Sequence, residues 1–213
     1  MKIAIFGASG ATGHLLTERS LSAGYTVTAL VRSPGSFLLR NKVRVVEGSA
    51  FDLSAVSRTV EGADVVLSAL GAHSPIRNEN VLPRAVPLIV QAMQQAGIRR
   101  IVALGSAGAL PDSLAKQPAW RRWFVQKIVY TLFLKWPVHE QMVQYRSLSL
   151  SSLDWTMVMP ALLTNGPARG VYRVDGEALP ANGSQIARAD VANFMMLQVT
   201  SPQWVRRGVY ICN

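Results

Sequence analysis

The chain has a single cysteine, Cys212, among its 213 residues, so no internal disulfide framework can staple it. That poverty fits a reducing compartment, and a cytoplasmic location is the expectation. Three histidines, His14, His73 and His139, fall at no metal-ligand spacing with acids or with Cys212, and no bound metal is expected. Acids are scarce as well: 12 Asp and Glu stand against 22 Lys and Arg, a net charge of +10. The basic residues are scattered, with short pairs at Arg99-Arg100, Arg121-Arg122 and Arg206-Arg207 and no long basic tail. Nucleic acid is therefore not an expected partner, whereas small anionic ligands remain open. No apolar run approaches the roughly 20 residues that span a bilayer, so no transmembrane segment is expected. Met1 to Gly7 runs straight into a strand pattern, and no signal peptide is expected.

What is present is a globular composition, 49% hydrophobic and 16% charged. The length suits one α/β domain over 1–213. Lys2 to Phe6 is a short apolar run that ends at Gly7 and reads as a buried strand. A helical pattern follows over Thr12 to Ala23, stopped by Gly24. Further strands are expected over Thr26–Val31, Val43–Glu47, Asp64–Ala69, Arg100–Leu104, Trp155–Met159 and Val209–Cys212. Helices are expected over Leu53–Val60, opened by Asp52, and over Asn80–Ala96, where Pro83 and Pro87 imply a later start or a kink. Others fall at Trp120–Leu134, broken by Pro137, then at His139–Leu150 and Asp190–Val199. Strands alternating with helices predict a doubly wound parallel sheet, a Rossmann-type α/β fold. Residues 161–187, rich in Gly, Pro and Asn, predict a small irregular C-terminal substrate lobe.

The first strand leads into Gly7-Ala8-Ser9-Gly10-Ala11-Thr12-Gly13, which then opens a helix. Dinucleotide binding needs a glycine loop in that setting. Gly7 permits the tight turn, Gly10 lets the backbone approach a pyrophosphate, and Gly13 lets the helix pack closely. Free N–H groups and the helix dipole favour phosphate there. The spacing is G-x-x-G-x-x-G rather than G-x-G-x-x-G, and an ordinary strand-to-helix turn is the structural alternative.

The second strand ends in Val31-Arg32-Ser33. An NAD site usually has an acid at that position, which would repel a 2′-phosphate, whereas Arg32 can pair with one. NADPH is therefore the expected cofactor, with a solvated surface arginine as the alternative. Ligands of such sheets lie along the carboxyl ends of the strands. That places Leu70-Gly71-Ala72-His73, Gly105-Ser106-Ala107 and Pro160-Ala161-Leu162 beside the cofactor. Ser106 is the hydroxyl at the fifth strand's tip, able to orient a nicotinamide or substrate, or simply to cap a loop. His73 reads as either a ligand contact or an exposed loop residue.

Met1 to Gly13, Val27 to Ser33, Ile101 to Ala107, Leu153 to Pro160 and Ile186 to Ala192 together resemble the atypical short-chain dehydrogenase/reductases. The resemblance is nearest to their NADPH-dependent flavin reductase, or biliverdin-IXβ reductase, branch, and it covers nearly the whole chain. It implies hydride transfer from NADPH to a flat conjugated acceptor such as flavin mononucleotide (FMN) or a linear tetrapyrrole. By position it implies that Ser9, Gly10, Ala11, Thr12 and Gly13 hold the pyrophosphate and that Arg32 holds the 2′-phosphate. Leu70 and Gly71 would line the ribose, and Ser106 would sit beside the nicotinamide as the catalytic residue. The pattern departs at Ser49-Ala50, where an acid is expected, and at Leu162, where a histidine is expected. The stretch from Asp112 to Pro137 is also longer and more apolar.

The Tyr–Lys pair of the better-known short-chain dehydrogenases is missing, since Tyr130 and Lys135 are five apart. Flavin reduction needs little acid–base chemistry, because stacking the rings in a dry site does most of the work. His139 and Glu140, at the start of a helix, are candidates to reach the pocket. Trp120-Arg121-Arg122-Trp123-Phe124 reads as a lid over an aromatic acceptor, a membrane-surface helix, or a core helix with snorkelling basic residues. The expected partners are a small-molecule acceptor (flavin, bilin or quinone) and no second subunit. The reading from another class is a non-catalytic NADP(H) sensor or assembly factor.

Overall fold

The structure, a computed structural model, describes residues 1–72, 74 and 77–213, and of residues 109 and 130–133 the backbone only. The elements run β1 (Lys2–Phe6), α1 (Ala11–Ser22), β2 (Thr26–Val31), β3 (Arg44–Glu47), α2 (Leu53–Val60), β4 (Val65–Ser68), α3 (Val81–Gln95) and β5 (Arg100–Leu104). Then come α4 (Ala119–Phe124), α5 (Lys135–Ser149), β6 (Asp154–Pro160), β7 (Leu162–Thr164), β8 (Arg173–Asp175), β9 (Gln185–Ala187), α6 (Arg188–Gln198) and β10 (Arg207–Cys212).

Eight strands form one sheet in the order β3-β2-β1-β4-β5-β6-β10-β8. Neighbours pair in parallel except β8, which runs antiparallel to β10 at the edge. Because side chains alternate along a strand, β1 feeds both faces. Ile3 and Ile5 join Leu16 of α1 and Val191 and Met195 of α6 on one side. Ala4 and Phe6 join Val56 of α2, Val86 and Ile89 of α3 and Leu148 of α5 on the other. The sheet is therefore buried on both faces, which is why its strands are near-continuous apolar runs. From β1 the chain winds outward to β3, then returns to β4 and winds the other way. The reversal between β1 and β4 opens the crevice in which such sheets hold ligands.

One expectation narrows and two change. Pro87 lies inside α3 and Pro83 in its first turn, so the helix does not start later. Pro137 does not break a helix: α5 starts at Lys135 and accommodates Pro137 in its first turn, where an N–H is unpaired anyway. Residues 161–187 are not wholly irregular. They include β7 and β9, which pair in parallel as a small second sheet, and β8 on the main sheet.

Candidate functional site

The glycine loop is shaped by backbone approach. Gly7 takes φ +79, and a Cβ there would lie 2.7 Å from the carbonyl oxygen of Ala69 at the end of β4. A Cβ on Gly13 would overlap the carbonyl of Gly7 itself. Gly10 is the N-cap of α1, and no side chain caps that helix. Its backbone closes the turn instead: Gly10 N–H donates to Gly7 O at 3.0 Å, and His14 N–H donates to Gly10 O at 2.8 Å. Among the described residues no side chain caps the first-turn N–H groups, and they lie beside the exposed Ser9, Gly10 and Ala11. That donor set suits a phosphate. Thr12 and Gly13 are buried.

Two cavities open at this edge. One, of about 530 Å³, is bounded by Ser9, Gly10, Ala11 and His14, by Phe37 and Leu38 after β2, and by Asn165 to Pro167. The second, of about 430 Å³, is lined by Ser106, Leu114, Val125, Val129, Leu134, Pro160, Leu163 and Leu179. Arg188, the first residue of α6, lines both, and Arg121 of α4 lines the second. Arg32, Leu70 and Gly71 line neither. They stand past the carboxyl ends of β2 and β4, on either side of β1, with Arg32 and Gly71 exposed and Leu70 half-buried. His73 lies outside the described residues.

Ser106 is half-buried in the wall of the second cavity, and its Oγ accepts the Gly108 N–H at 3.4 Å. The hydroxyl therefore lines the cavity and caps a turn at once. Behind it, buried Gln144 of α5 donates from Nε2 to Leu104 O at 3.0 Å, which ties α5 to the tip of β5.

Sequence reading missed the polar fittings of the second cavity. Gln117 is buried and donates from Nε2 to Leu179 O and Pro180 O at 3.0 and 2.8 Å. Its Oε1 accepts Arg121 at 3.0 Å, and Arg121 also donates to Gly183 O at 3.0 Å. Arg188 donates to Asn165 Oδ1 at 2.6 Å. Among the described residues neither arginine meets a carboxylate. Two part-buried cations without an acid partner, in a mostly apolar cavity, suit an anionic ligand. The sequence held a sign of Arg121 in its pairing with Arg122, but not which way it turns.

Glu140 does not reach either cavity. Because α5 begins earlier than expected, Glu140 falls in its second turn and is fully buried. Its Oε2 accepts the Leu82 N–H at 2.9 Å, so it caps the start of α3 rather than its own helix. His139 is exposed, and Lys135 lies over the Trp136 ring at 5.1 Å. Cys212 is buried, and burial pushes its thiol up. It packs against Gly183, where a Cβ would leave only 2.5 Å to the sulfur.

A family model described as NAD(P)H-binding matches residues 7–202. The Bacillus subtilis protein YwnB is 26% identical over 218 residues, 95% of this chain and 94% of its own. Two solved structures share the fold at 22% identity and a TM-score of 0.80, each covering 100% of this chain. One is a wide-type short-chain dehydrogenase/reductase from Veillonella parvula in complex with NADP, covered to 94%. The other is ChuY, an anaerobilin reductase from Escherichia coli O157:H7, covered to 97%.

Proposed function

This chain belongs to the NAD(P)H-binding family, and from that premise we propose that it is an NADPH-dependent reductase acting on a flat, conjugated, anionic acceptor. Flavin mononucleotide and linear tetrapyrroles both fit that description. The observation that carries the reading is the second cavity, an apolar chamber at the tips of β5 and β6 with Arg121 and Arg188 in its wall. The NADP-bound and anaerobilin-reducing relatives of the same fold support it.

In this reading the dinucleotide lies across the carboxyl edge of the sheet. The N–H groups from Ser9 to Gly13 hold the pyrophosphate, and Gly7 makes the approach possible. Arg32 pairs with the 2′-phosphate, while Leu70, Gly71 and Pro160 flank the ribose and nicotinamide. When bound, NADPH supplies a hydride to the acceptor, which takes its proton from water. The protein's work is positional. Ser106 orients the reacting edge, Leu114, Val125 and Leu179 exclude water, and the two arginines hold the acceptor's anionic group. The protein acts as a monomer in the cytoplasm, where NADPH is supplied.

Ser106 also favours a second reading. Its oxygen caps the turn by accepting the Gly108 N–H, and the buried acid Glu140 faces α3. A non-catalytic NADP(H) sensor or assembly factor would have such a site.

The test is NADPH oxidation by the purified protein with FMN, biliverdin or a neutral quinone, with NADH as control. Acceptor-dependent turnover preferring NADPH is expected. Arg121→Gln and Arg188→Gln should each raise KM about tenfold for anionic acceptors, as expected for a lost charge-assisted bond. Tight NADPH binding without turnover on any acceptor would favour the sensor.

A further inference from the structure

The helix that walls the second cavity has an outer face as well. Arg121 and Val125 turn inward and line the cavity, followed by Val129 on the wider, π-type helical turns over Val125–Phe133 and by Leu134 just past them. Trp120, Trp123 and Phe124 turn outward, 72%, 60% and 47% exposed. Spaced i, i+3 and i+4, these three rings share one side of α4. Arg122 and Lys127 are exposed next to them, and among the described residues neither meets a carboxylate. A single exposed aromatic needs no explanation, but three together mark a contact surface.

The charge around the patch selects the partner. Residues 113–139 contain five Lys and Arg and no Asp or Glu. Lys116 is neutralised by Asp175 and Glu177, Arg121 turns inward and Lys135 lies over Trp136, which leaves Arg122 and Lys127 beside the aromatic face. A second copy of this chain would bring two such basic faces together, each on a molecule of net charge +10. The complementary surface is anionic and admits aromatic rings at shallow depth. The headgroup layer of a bilayer with anionic lipids has both properties. No helix of the described residues is long and apolar enough to cross a membrane, so the contact is peripheral.

We propose that α4 docks the protein reversibly on an anionic phospholipid bilayer. Trp120, Trp123 and Phe124 insert among the headgroups, while Arg122 and Lys127 meet the lipid phosphates. The same helix then lies between the bilayer and the second cavity. The docking itself does not depend on the reductase reading.

The test is co-sedimentation of the full chain with vesicles of phosphatidylglycerol and phosphatidylcholine, against phosphatidylcholine alone. Binding is expected on the anionic vesicles, weakening as salt is raised. Trp120→Ser with Trp123→Ser, and separately Arg122→Gln with Lys127→Gln, should each lower the partition about tenfold or more. Circular dichroism and NADPH binding should be unchanged in both variants, which separates lost docking from lost folding. No binding at low salt, equal binding to both vesicle types, or an unaltered partition in the tryptophan variant would overturn the proposal. So would light scattering that showed a dimer abolished by the tryptophan substitutions with no vesicle binding, since the face would then belong to a second copy.

Discussion

The buried carboxylate of Asp190 accepts the backbone N–H of Arg169 on both of its oxygens, each at 3.0 Å. Its Oδ1 also accepts the Gly170 N–H at 2.9 Å. Asp190 sits in the first turn of α6, where a negative charge is favoured, and from there it fixes the end of the segment that brings Asn165 to Pro167 against the glycine loop. Asp190→Ala would leave those donors without their acceptor and cost about 1–3 kcal/mol. Asp190→Asn keeps one acceptor oxygen and should fall between. The expected result is a lowered melting temperature and weaker NADPH binding in the order wild type, Asn, Ala. Differential scanning fluorimetry and NADPH fluorescence titration read the two effects.

The glycine loop gives a sharper test. A Cβ on Gly13 would overlap the Gly7 carbonyl and come within 2.9 Å of Ala8 Cα, all backbone atoms that cannot swing aside. Gly13→Ala must therefore push α1 away from β1 or distort the loop, at a cost of about 1–3 kcal/mol. Gly35 has open space around it and serves as the control. Gly13→Ala should lose both stability and dinucleotide binding, and Gly35→Ala neither. Retained NADPH affinity in Gly13→Ala would contradict the assignment of this loop to the pyrophosphate.

Much of this architecture was legible in the sequence because the signals are local. The run from Lys2 to Phe6, the three glycines and the helical pattern over Thr12 to Ala23 specify strand, turn and helix with little help from distant residues. The Asp52 cap was readable for the same reason, and its side chain does accept the Ser54 N–H at 2.9 Å. What was not legible depends on partners far apart in the chain. Glu140 looked like a first-turn acid, but its partner Leu82 is 58 residues away. The pairing of β7 with β9 joins two three-residue strands that carry almost no pattern of their own. The cavity arginines were visible as residues, yet Arg121 is oriented by Gln117 and Gly183, and Arg188 by Asn165.

In the proposed reading Arg32 carries the choice between the two nicotinamide cofactors. It is exposed just beyond β2. A charge-assisted bond to a 2′-phosphate contributes about 1.5–3 kcal/mol, which corresponds to roughly 10–100-fold in affinity. Arg32→Ala should weaken NADPH binding by about that factor and leave NADH binding nearly unchanged. Arg32→Asp should go further and favour NADH, since an acid there accepts the ribose hydroxyls and repels the phosphate. Equal losses for both cofactors in fluorescence titrations would remove Arg32 from the phosphate site.

Away from the site, acid should reveal one ion pair. The Arg99 guanidinium grips Asp154 at 3.0 and 3.3 Å where β5 and β6 begin side by side. Arg99 first, with the charges of Arg206 and Arg100 behind it, holds the Asp154 carboxyl below the usual aspartate range. A carboxyl held low in the fold stabilises it while ionised. That contribution is complete above the unfolded value of about 4 and is lost as the pH falls through the lower folded value. The pair is largely open to solvent, so its contribution is small and salt-sensitive. Asp154→Asn should be slightly less stable than wild type in denaturant melts at neutral pH. The difference should shrink as the pH is taken below about 4, because protonation then removes from the wild type what the substitution has already removed. A gap that widened in acid would mean that Asp154 acts through its neutral form, against the geometry of its arginine partner.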